Sequence, residues 1–133
     1  MKITKEMLEE KNACASGLEW FISSFGNEAA HEDILAKLYN EKNYRFWASW
    51  LFENFKLSGE LKVFGINGVL WQHGHFIDGK LNGEYKTFYE NEKLRVHSYY
   101  VDGRLSGEYK VFDENENLII HCHYKDGELV EEN

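Results

Sequence analysis

Hydrophobic and polar residues recur with two different periods along this chain, and the period changes near residue 56. In the first part, apolar residues are spaced as on one face of an α-helix; they include Leu18, Phe21, Ile22 and Phe25. In the second part, apolar and polar residues alternate in short runs bounded by turn residues, which is typical of β-strands. The pattern predicts an α+β chain, with a helical domain over 1–56 and a β-sheet domain over 57–133.

Four short helices are predicted in the helical domain. Thr4 caps the first, Ser16 to Glu19 form a capping box for the second, and the third and fourth span about 29–39 and 44–55. Helices of two to three turns are not stable alone, so we expect them to pack together and to cap the open end of the sheet. The core of this domain is expected to include Trp20, Phe21, Trp47, Trp50 and a buried Cys14.

The β-sheet domain is one 24-residue unit written three times, without insertions. The copies begin at Leu57, Leu81 and Leu105, and a fourth begins at Leu129. Each copy carries an Asp-Gly pair that favours a two-residue hairpin turn, whereas the Asn91 and Asn115 turns are expected to be different because they lack glycine. The repeat therefore predicts an antiparallel, single-layer β-meander of three hairpin units, each packed on its neighbours.

The Asp-Gly turns predict a register, and the register sorts side chains onto two faces. The apolar face is predicted to carry Leu94, Val96, Ser98, Tyr100, Leu105, Gly107, Tyr109 and Val111. The polar face is predicted to carry Arg95, His97, Tyr99, Glu108 and Lys110. The same register predicts cross-strand pairs between His73 and Glu84, His97 and Glu108, and His121 and Glu132. It also places each repeat's glycine opposite a small residue, which is Gly74, Ser98 or Cys122.

The formal net charge of -8 disfavours binding to nucleic acid or to anionic membranes. An acidic chain fits a partner with a basic surface, and it equally fits a simple requirement for solubility. We see no apolar signal segment and no apolar run of 18 residues, and Cys14 and Cys122 form no disulfide framework. These features predict a cytoplasmic chain without a membrane segment.

The histidines raise the question of a metal site. His73, His97 and His121 are predicted to lie about 10 Å apart on successive units, too far for one ion. The pairs His73-x-His75 and His121-x-His123 share a face, but each lacks a clear third ligand in the predicted register. The common catalytic motifs are absent from the sequence. We therefore expect no metal, no cofactor and no catalysis.

The segments GEYKTFYEN at Gly83–Asn91 and GEYKVFDEN at Gly107–Asn115 resemble the bacterial MORN-repeat family, including its YwqK-type antitoxins. The resemblance covers 57–130, although Leu61 replaces the tyrosine in the first unit. The stretch before Trp20-Phe21 is similar to a short helical module at the front of some phage and bacterial repeat proteins. The resemblance implies MORN-like hairpin repeats and an antitoxin-like or inhibitor role, encoded by a phage or mobile element and directed at a host or defence enzyme.

The most specific expectation is a non-enzymatic module that binds a protein with a basic surface. The candidate contact residues are Trp71, His75, Tyr99 and His123 on the polar face, with Phe64, Phe88 and Phe112 beside the turns. Two alternatives stay open. One is an acidic nucleic-acid mimic that blocks a nucleic-acid-binding protein, and the other, which we disfavour, is a metal-dependent enzyme using the His-x-His pairs.

Overall fold

The computed structural model describes residues 1–38, 41, 44–65 and 68–132. The chain forms two compact units, Met1–Trp50 and Leu51–Asn133. Helices precede an antiparallel β-sheet, which confirms the predicted α+β class. The predicted domain boundary after Lys56 lies slightly further along the chain than the division between the compact units.

The first unit contains β1 (Lys2–Thr4), α1 (Lys5–Glu10), α2 (Ala15–Phe25), β2 (Glu28–Ala30), α3 (His31–Leu38) and most of α4 (Tyr44–Asn54). The four predicted helices are present, and Thr4 Oγ1 caps α1 by accepting from Met7 N at 3.2 Å. The antiparallel pair β1 and β2 was not predicted, because three residues are too few to show alternation.

The capping box predicted at Ser16 is wrong. Leu18 N donates to Cys14 O at 3.0 Å, so α2 begins one residue before Ser16 and Cys14 occupies the cap position. Cys14 is also exposed, contrary to the predicted burial, because the cap position lies at the surface.

The core of the first unit consists of aliphatic side chains and one aromatic side chain, Phe21. Its buried hydrophobic residues include Ile3, Leu8, Phe21, Ile34, Leu38 and Ala48. The Trp20 ring lies 5.8 Å from that of Trp47, and Trp20 Nε1 donates to Glu41 Oε1 at 2.8 Å. Phe21 is therefore a core residue as expected, whereas Trp20, Trp47 and Trp50 are only half-buried.

The second unit contains the end of α4 and one sheet. Its strands are β3 (Gly59–Phe64), β4 (Leu70–Ile77), β5 (Lys80–Leu81), β6 (Gly83–Phe88), β7 (Leu94–Val101), β8 (Arg104–Leu105), β9 (Gly107–Phe112), β10 (Leu118–Lys125) and β11 (Glu128–Glu132). The strand order β3-β4-β6-β7-β9-β10-β11 is that of a meander, with β5 paired to β4 and β8 paired to β7. The predicted single-layer arrangement of hairpin units is thus present.

The two kinds of turn differ as expected. Asp102 and Gly103 both have positive φ, 51° and 81°, as a two-residue type I′ turn requires. In the other kind, Tyr89 N donates to Lys93 O at 2.9 Å and Glu92 adopts a φ of 69°. The missing glycine is therefore replaced by a longer turn in which one glutamate takes the left-handed conformation.

The predicted register holds next to the Asp-Gly turn and then shifts by two residues. Tyr100 pairs with Leu105, but His97 pairs with Lys110 instead of Glu108. The shift arises because Ser106 N donates to Tyr99 O at 2.9 Å and the chain then passes through Gly107 with a φ of 111°. Since a shift of two preserves alternation, the residues of the polar and apolar faces still separate as predicted.

The small residues of the apolar face have a different partner from the one predicted. On the following strand, His73 pairs with Lys86 and His97 with Lys110, so the next residues, Gly74 and Ser98, face Tyr85 and Tyr109. The predicted pairing of these small residues with the repeat's glycine is wrong, because of the same two-residue shift. Room for aromatic rings results nonetheless: Tyr85 and Tyr100 form an edge-to-face pair at 5.6 Å.

The beginning of the sheet packs against the last turn of α4, within the second unit. The Phe52 ring is stacked on the Phe76 ring with centroids 4.6 Å apart, and both side chains are buried. Leu57, Leu61 and Val63 extend this core along the first unit of the repeat. That the helical domain as a whole caps the sheet stays a prediction.

A second set of contacts joins the two ends of each repeat unit. The turn glycine donates its N–H to the carbonyl of the leucine that begins its own unit, at 2.9 Å from Gly79 to Leu57 and at 2.8 Å from Gly103 to Leu81. Gly127 and Leu105 repeat the bond at 2.8 Å. Each unit is thus closed by its turn, and successive units are joined by strand pairing.

Candidate binding surface

The polar face carries one group of four side chains for each repeat unit, which we call a rung. The first rung is Glu60, Lys62, His73 and His75; the second is Glu84, Lys86, His97 and Tyr99; the third is Glu108, Lys110, His121 and His123. In each rung, the first two residues lie two apart on one strand and the last two lie two apart on its partner. Side chains two apart share a face, so the period of the repeat builds the same group three times.

The first histidine of each rung contacts the glutamate of the same rung, which lies on the preceding strand. His73 Nε2 lies 3.1 Å from Glu60 Oε1, and His97 Nε2 lies 2.8 Å from Glu84 Oε2. In the third rung, His121 Nε2 lies 3.6 Å from Glu108 Oε1.

The predicted pairs His73–Glu84, His97–Glu108 and His121–Glu132 are therefore wrong. The two-residue shift moves Glu84 and Glu108 away from their predicted partners, because His73 pairs with Lys86 and His97 with Lys110. In the last hairpin, a shift of one residue places the backbone of Glu132 opposite Cys122. The histidine instead reaches the glutamate with which it shares a hairpin.

A lysine offsets the charge of each rung's glutamate. The distances from lysine Nζ to the nearest glutamate oxygen are 3.6 Å for Lys62, 3.2 Å for Lys86 and 3.1 Å for Lys110. The hydrogen bond from His97, and then that from Lys86, lowers the pKa of Glu84 below its usual value. The rungs thus hold ionised carboxylates that are already paired with a cation.

Three of the predicted contact residues occupy the same position in successive rungs. His75 lies opposite Glu60, Tyr99 opposite Glu84, and His123 opposite Glu108. Tyr99 is exposed, whereas the two histidines are half-buried. The structure therefore brings these residues into one series across the sheet, which leaves their role in binding a prediction.

Phe64 and Trp71 lie at the end of the sheet that carries the turns between β3 and β4, β6 and β7, and β9 and β10, which we call the Asn-turn end. Their side chains are 47% and 39% exposed. Phe88 and Phe112 end the equivalent strands but are half-buried. The first unit therefore presents the most accessible aromatic side chains among the seven predicted contact residues.

The positions at which the units differ most coincide with β-bulges. The register shifts beside Trp71, Arg95 and Ile119, so each is the extra residue of its strand. Bulges re-aim side chains at the rim of a sheet. Comparison of the three repeat units in the sequence shows that these residues differ between units. Only the strand pairing in the structure shows that they lie at bulges.

An exposed aliphatic run at the Asn-turn end of β10 was not predicted from the sequence. Leu118, Ile119 and Ile120 are 49%, 58% and 44% exposed. The available signal was three consecutive apolar residues, where the equivalent position of the first unit has Leu70-Trp71-Gln72. An exposed apolar run of this kind marks a contact surface more often than an isolated apolar residue does.

The expectation that the His-x-His pairs lack a third ligand is wrong. Glu60, His73 and His75 place one ligand atom each within 4.8 Å of one another. The predicted register had assigned the third ligand to the following strand, whereas the third ligand comes from the preceding strand, on which Glu60 lies opposite His75.

Comparison with known protein families agrees with this geometry. Residues 81–102 and 105–126 match the family model of the MORN repeat variant. The second and third units are similar to MORN repeats. The predicted MORN resemblance is therefore confirmed for these repeats, which carry the second and third rungs; the first unit lies outside the matched residues.

The helical part of the chain resembles a separate family. Residues 1–56 match the model of the YdhT N-terminal domain, so a segment similar to this domain precedes the repeats. No curated protein gives a significant match to the chain. Among the described residues, we find no helix that is both long and apolar enough to cross a bilayer.

Proposed function

We propose that the chain is a non-enzymatic protein-binding module, an antitoxin-like inhibitor that covers the surface of a basic protein partner, such as a host or defence enzyme. The observation that carries the proposal is the Asn-turn end of the sheet. Exposed aromatic and aliphatic side chains lie there beside exposed carboxylates.

The apolar component consists of Phe64, Trp71 and Ile119 at the ends of paired strands. β4 and β10, which carry Trp71 and Ile119, pair with a strand on each side, whereas β3, which carries Phe64, is an edge strand paired with β4 alone. Strand pairing fixes the backbone that carries these side chains, so less freedom is lost when a partner binds. Aromatic side chains are enriched in interface hot spots, where they fill pockets on the partner. Trp71 is the strongest candidate anchor, since its indole packs over Gly65 and is held in place.

The charged component consists of Glu90, Glu92, Glu114 and Glu116 in the turns of the second and third units. All four residues are exposed. Lys93 offsets one of them, with its Nζ 3.6 Å from Glu116 Oε2. The remaining negative charge favours encounter with a basic surface, and this attraction acts mainly on the association rate.

The rungs argue against the nucleic-acid mimic. A mimic needs carboxylates that stand in for phosphates, but each rung pairs its glutamate with a lysine and a histidine, as in Glu84, Lys86 and His97. The regular spacing of the rungs therefore presents balanced charge, not a row of free negative charge. The free carboxylates cluster in the turns, which fits one end of a protein interface better than a long groove.

The decisive experiment uses the immobilised chain to capture basic proteins and then measures the Kd of the captured partner by calorimetry. Trp71→Ala is expected to weaken binding at least about tenfold, the cost of losing an interface anchor. Ile77→Ala is the matched control, because Ile77 is 54% exposed on the same strand but lies at the other end of the sheet. Thermal melts of both variants establish that the fold is intact.

Charge reversal separates the two components of the surface. Glu90→Lys combined with Glu114→Lys is expected to slow association and to reduce its salt dependence, with a smaller effect on dissociation. Equal Kd values for the Trp71 and Ile77 variants would contradict the proposed surface. Competition by DNA that is lost on charge reversal but kept in Trp71→Ala would favour the mimic instead.

A further inference from the structure

The first rung places two imidazoles and a carboxylate around one point on the polar face. His73 and His75 lie two residues apart on β4, with ring centroids 5.1 Å apart, and Glu60 lies on β3 directly opposite His75. The ligand atoms of the three side chains all lie within 4.8 Å of one another. Two strands of one hairpin therefore supply a set of nitrogen and oxygen donors that transition metals favour.

We propose that the first rung binds one divalent transition-metal ion, with zinc as the best fit, through Glu60, His73 and His75. Tetrahedral ligands about 2.0–2.1 Å from zinc are about 3.3 Å from one another. His73 Nε2 and Glu60 Oε1 are 3.1 Å apart, so these two atoms need almost no movement. The His75 ring reaches the same point by side-chain rotation, and the fourth position stays open to water or to a side chain of a partner.

The third rung repeats the same donor set. His121 Nε2 and His123 Nε2 lie 3.6 Å and 3.7 Å from Glu108 Oε1. His121 Nε2 is shielded from solvent and has no hydrogen-bond partner among the described residues. The test of the first rung therefore removes both histidines of the third, so that zinc bound there is not counted.

The second rung is a natural control within the same sheet. Tyr99 replaces the second histidine, and His97 already bonds to Glu84 at 2.8 Å. A phenol stays protonated at neutral pH and is a poor replacement for an imidazole ligand. The second rung therefore has the same backbone and the same His–Glu contact without the third strong donor, so it should not bind the ion.

Lys62 competes with the ion for the carboxylate of the first rung. Its Nζ lies 3.6 Å from Glu60 Oε2, whereas His73 contacts the other oxygen, Oε1. The lysine therefore weakens the site without blocking it. Lys62→Gln is expected to increase zinc affinity, which a role of the rung in simple ion pairing would not predict.

The test isolates the first rung by using His121→Ala/His123→Ala as the background. Zinc is titrated at pH 7.5 against a chromophoric chelator, and we expect one equivalent to bind saturably. Adding His75→Tyr, which copies the second rung, should weaken binding at least about tenfold. Magnesium and calcium should not compete, because these hard cations prefer sites made entirely of oxygen.

A variant that should gain zinc binding provides a second test of the proposed site. Tyr99→His in this background should add a second equivalent of zinc, since it gives the second rung the complete donor set. Thermal melts without metal show whether each variant is folded. Failure of the folded background to bind zinc, or unchanged affinity in the His75 variant, would overturn the inference. Because these measurements need no protein partner, they are independent of the proposed inhibitor function.

Discussion

The backbone of Gly74 lies directly against the ring of Tyr85: a Cβ added at Gly74 would stand 2.8 Å from Tyr85 Cδ2. Gly74 belongs to the first unit and Tyr85 to the second, so the contact joins two units on the apolar face. Ser98, which is fully buried, occupies the equivalent position in the second unit. A small side chain at this position is therefore a condition for close packing of successive units.

Gly74→Ala should destabilise the sheet by about 1–3 kcal/mol, because the added methyl group forces the Tyr85 ring away from its position. The free energy of unfolding is measured by urea denaturation. The matched control is Ser98→Ala, which removes only a long hydrogen bond of 3.4 Å to Tyr85 O and should cost about 0.5 kcal/mol. Equal effects of the two variants would show that the contact of Gly74 with Tyr85 is not tight.

The second rung predicts a dependence of stability on pH. The pKa of Glu84 is lowered chiefly by the hydrogen bond from His97. Its folded value therefore lies below the unfolded value of about 4.3. Ionised Glu84 stabilises the fold above that value, and the stabilisation is lost as the pH falls through the folded pKa.

The free energies of unfolding of the native chain and of Glu84→Gln should therefore differ at pH 6 and converge toward pH 3. The effect is small, because the glutamate side chain is 43% exposed. Glu92→Gln, at an exposed turn, corrects for the loss of one negative charge. A difference that does not narrow with acidification would count against the Glu84–His97 contact.

Cys14 should be the reactive thiol of the chain. It is exposed at the start of α2, and its pKa is lowered mainly by the backbone N–H of Gly17 and then by the Ser16 hydroxyl. Cys122 is buried, with 6% exposure, between strands of the sheet. Titration with a chromogenic disulfide should show one rapid thiol in the native chain and a second only in denaturant. Cys14→Ala should remove the rapid phase, and its persistence would contradict the assignment.

The stacked pair of Phe52 and Phe76 should account for much of the stability at the start of the sheet. Phe52 is 1% exposed, so Phe52→Ala should destabilise the second unit by about 3–5 kcal/mol. Phe64→Ala provides the control of the same chemistry, because Phe64 is 47% exposed and should cost less than about 1 kcal/mol. The comparison is made by calorimetric melting, and similar losses in both variants would show that the stack is not a core contact.

The sequence was sufficient for the faces of the sheet but not for its pairing. Alternation and the Asp-Gly turns predicted correctly that Val96 and His97 lie on opposite faces. The predicted register is wrong beyond Ser106 because the strand pairing is interrupted there. Ser106 N bonds to Tyr99 O, and the positive φ of Gly107 changes the direction of the chain. A shift of two residues leaves no trace in a pattern of period two, so the pattern could not reveal it.

The wrong register affected the prediction of the candidate site more than that of the fold. The same histidines and glutamates were identified, but His97 was assigned to Glu108 instead of Glu84, and the donor set around His75 was therefore missed. The prediction of the α2 cap failed for a related reason. Ser16 is the residue type that favours a cap, but the bond from Leu18 N to Cys14 O places the cap two residues earlier. In each case, one backbone hydrogen bond determines the local structure, and the residue types alone do not show which bond forms.

The bonds between turn glycines and leucine carbonyls run in one direction along the chain. Gly103 uses an acceptor on Leu81, and Gly127 uses one on Leu105, so each newly synthesised turn finds its acceptor already made. The sheet can therefore grow by whole units from its amino-terminal side while the chain is still being made. Deletion of the last unit therefore leaves the backbone bonds of the earlier Asp-Gly turns intact, although the side chains of Tyr89 and Asn91 lose their acceptors Phe112 O and Glu114 O.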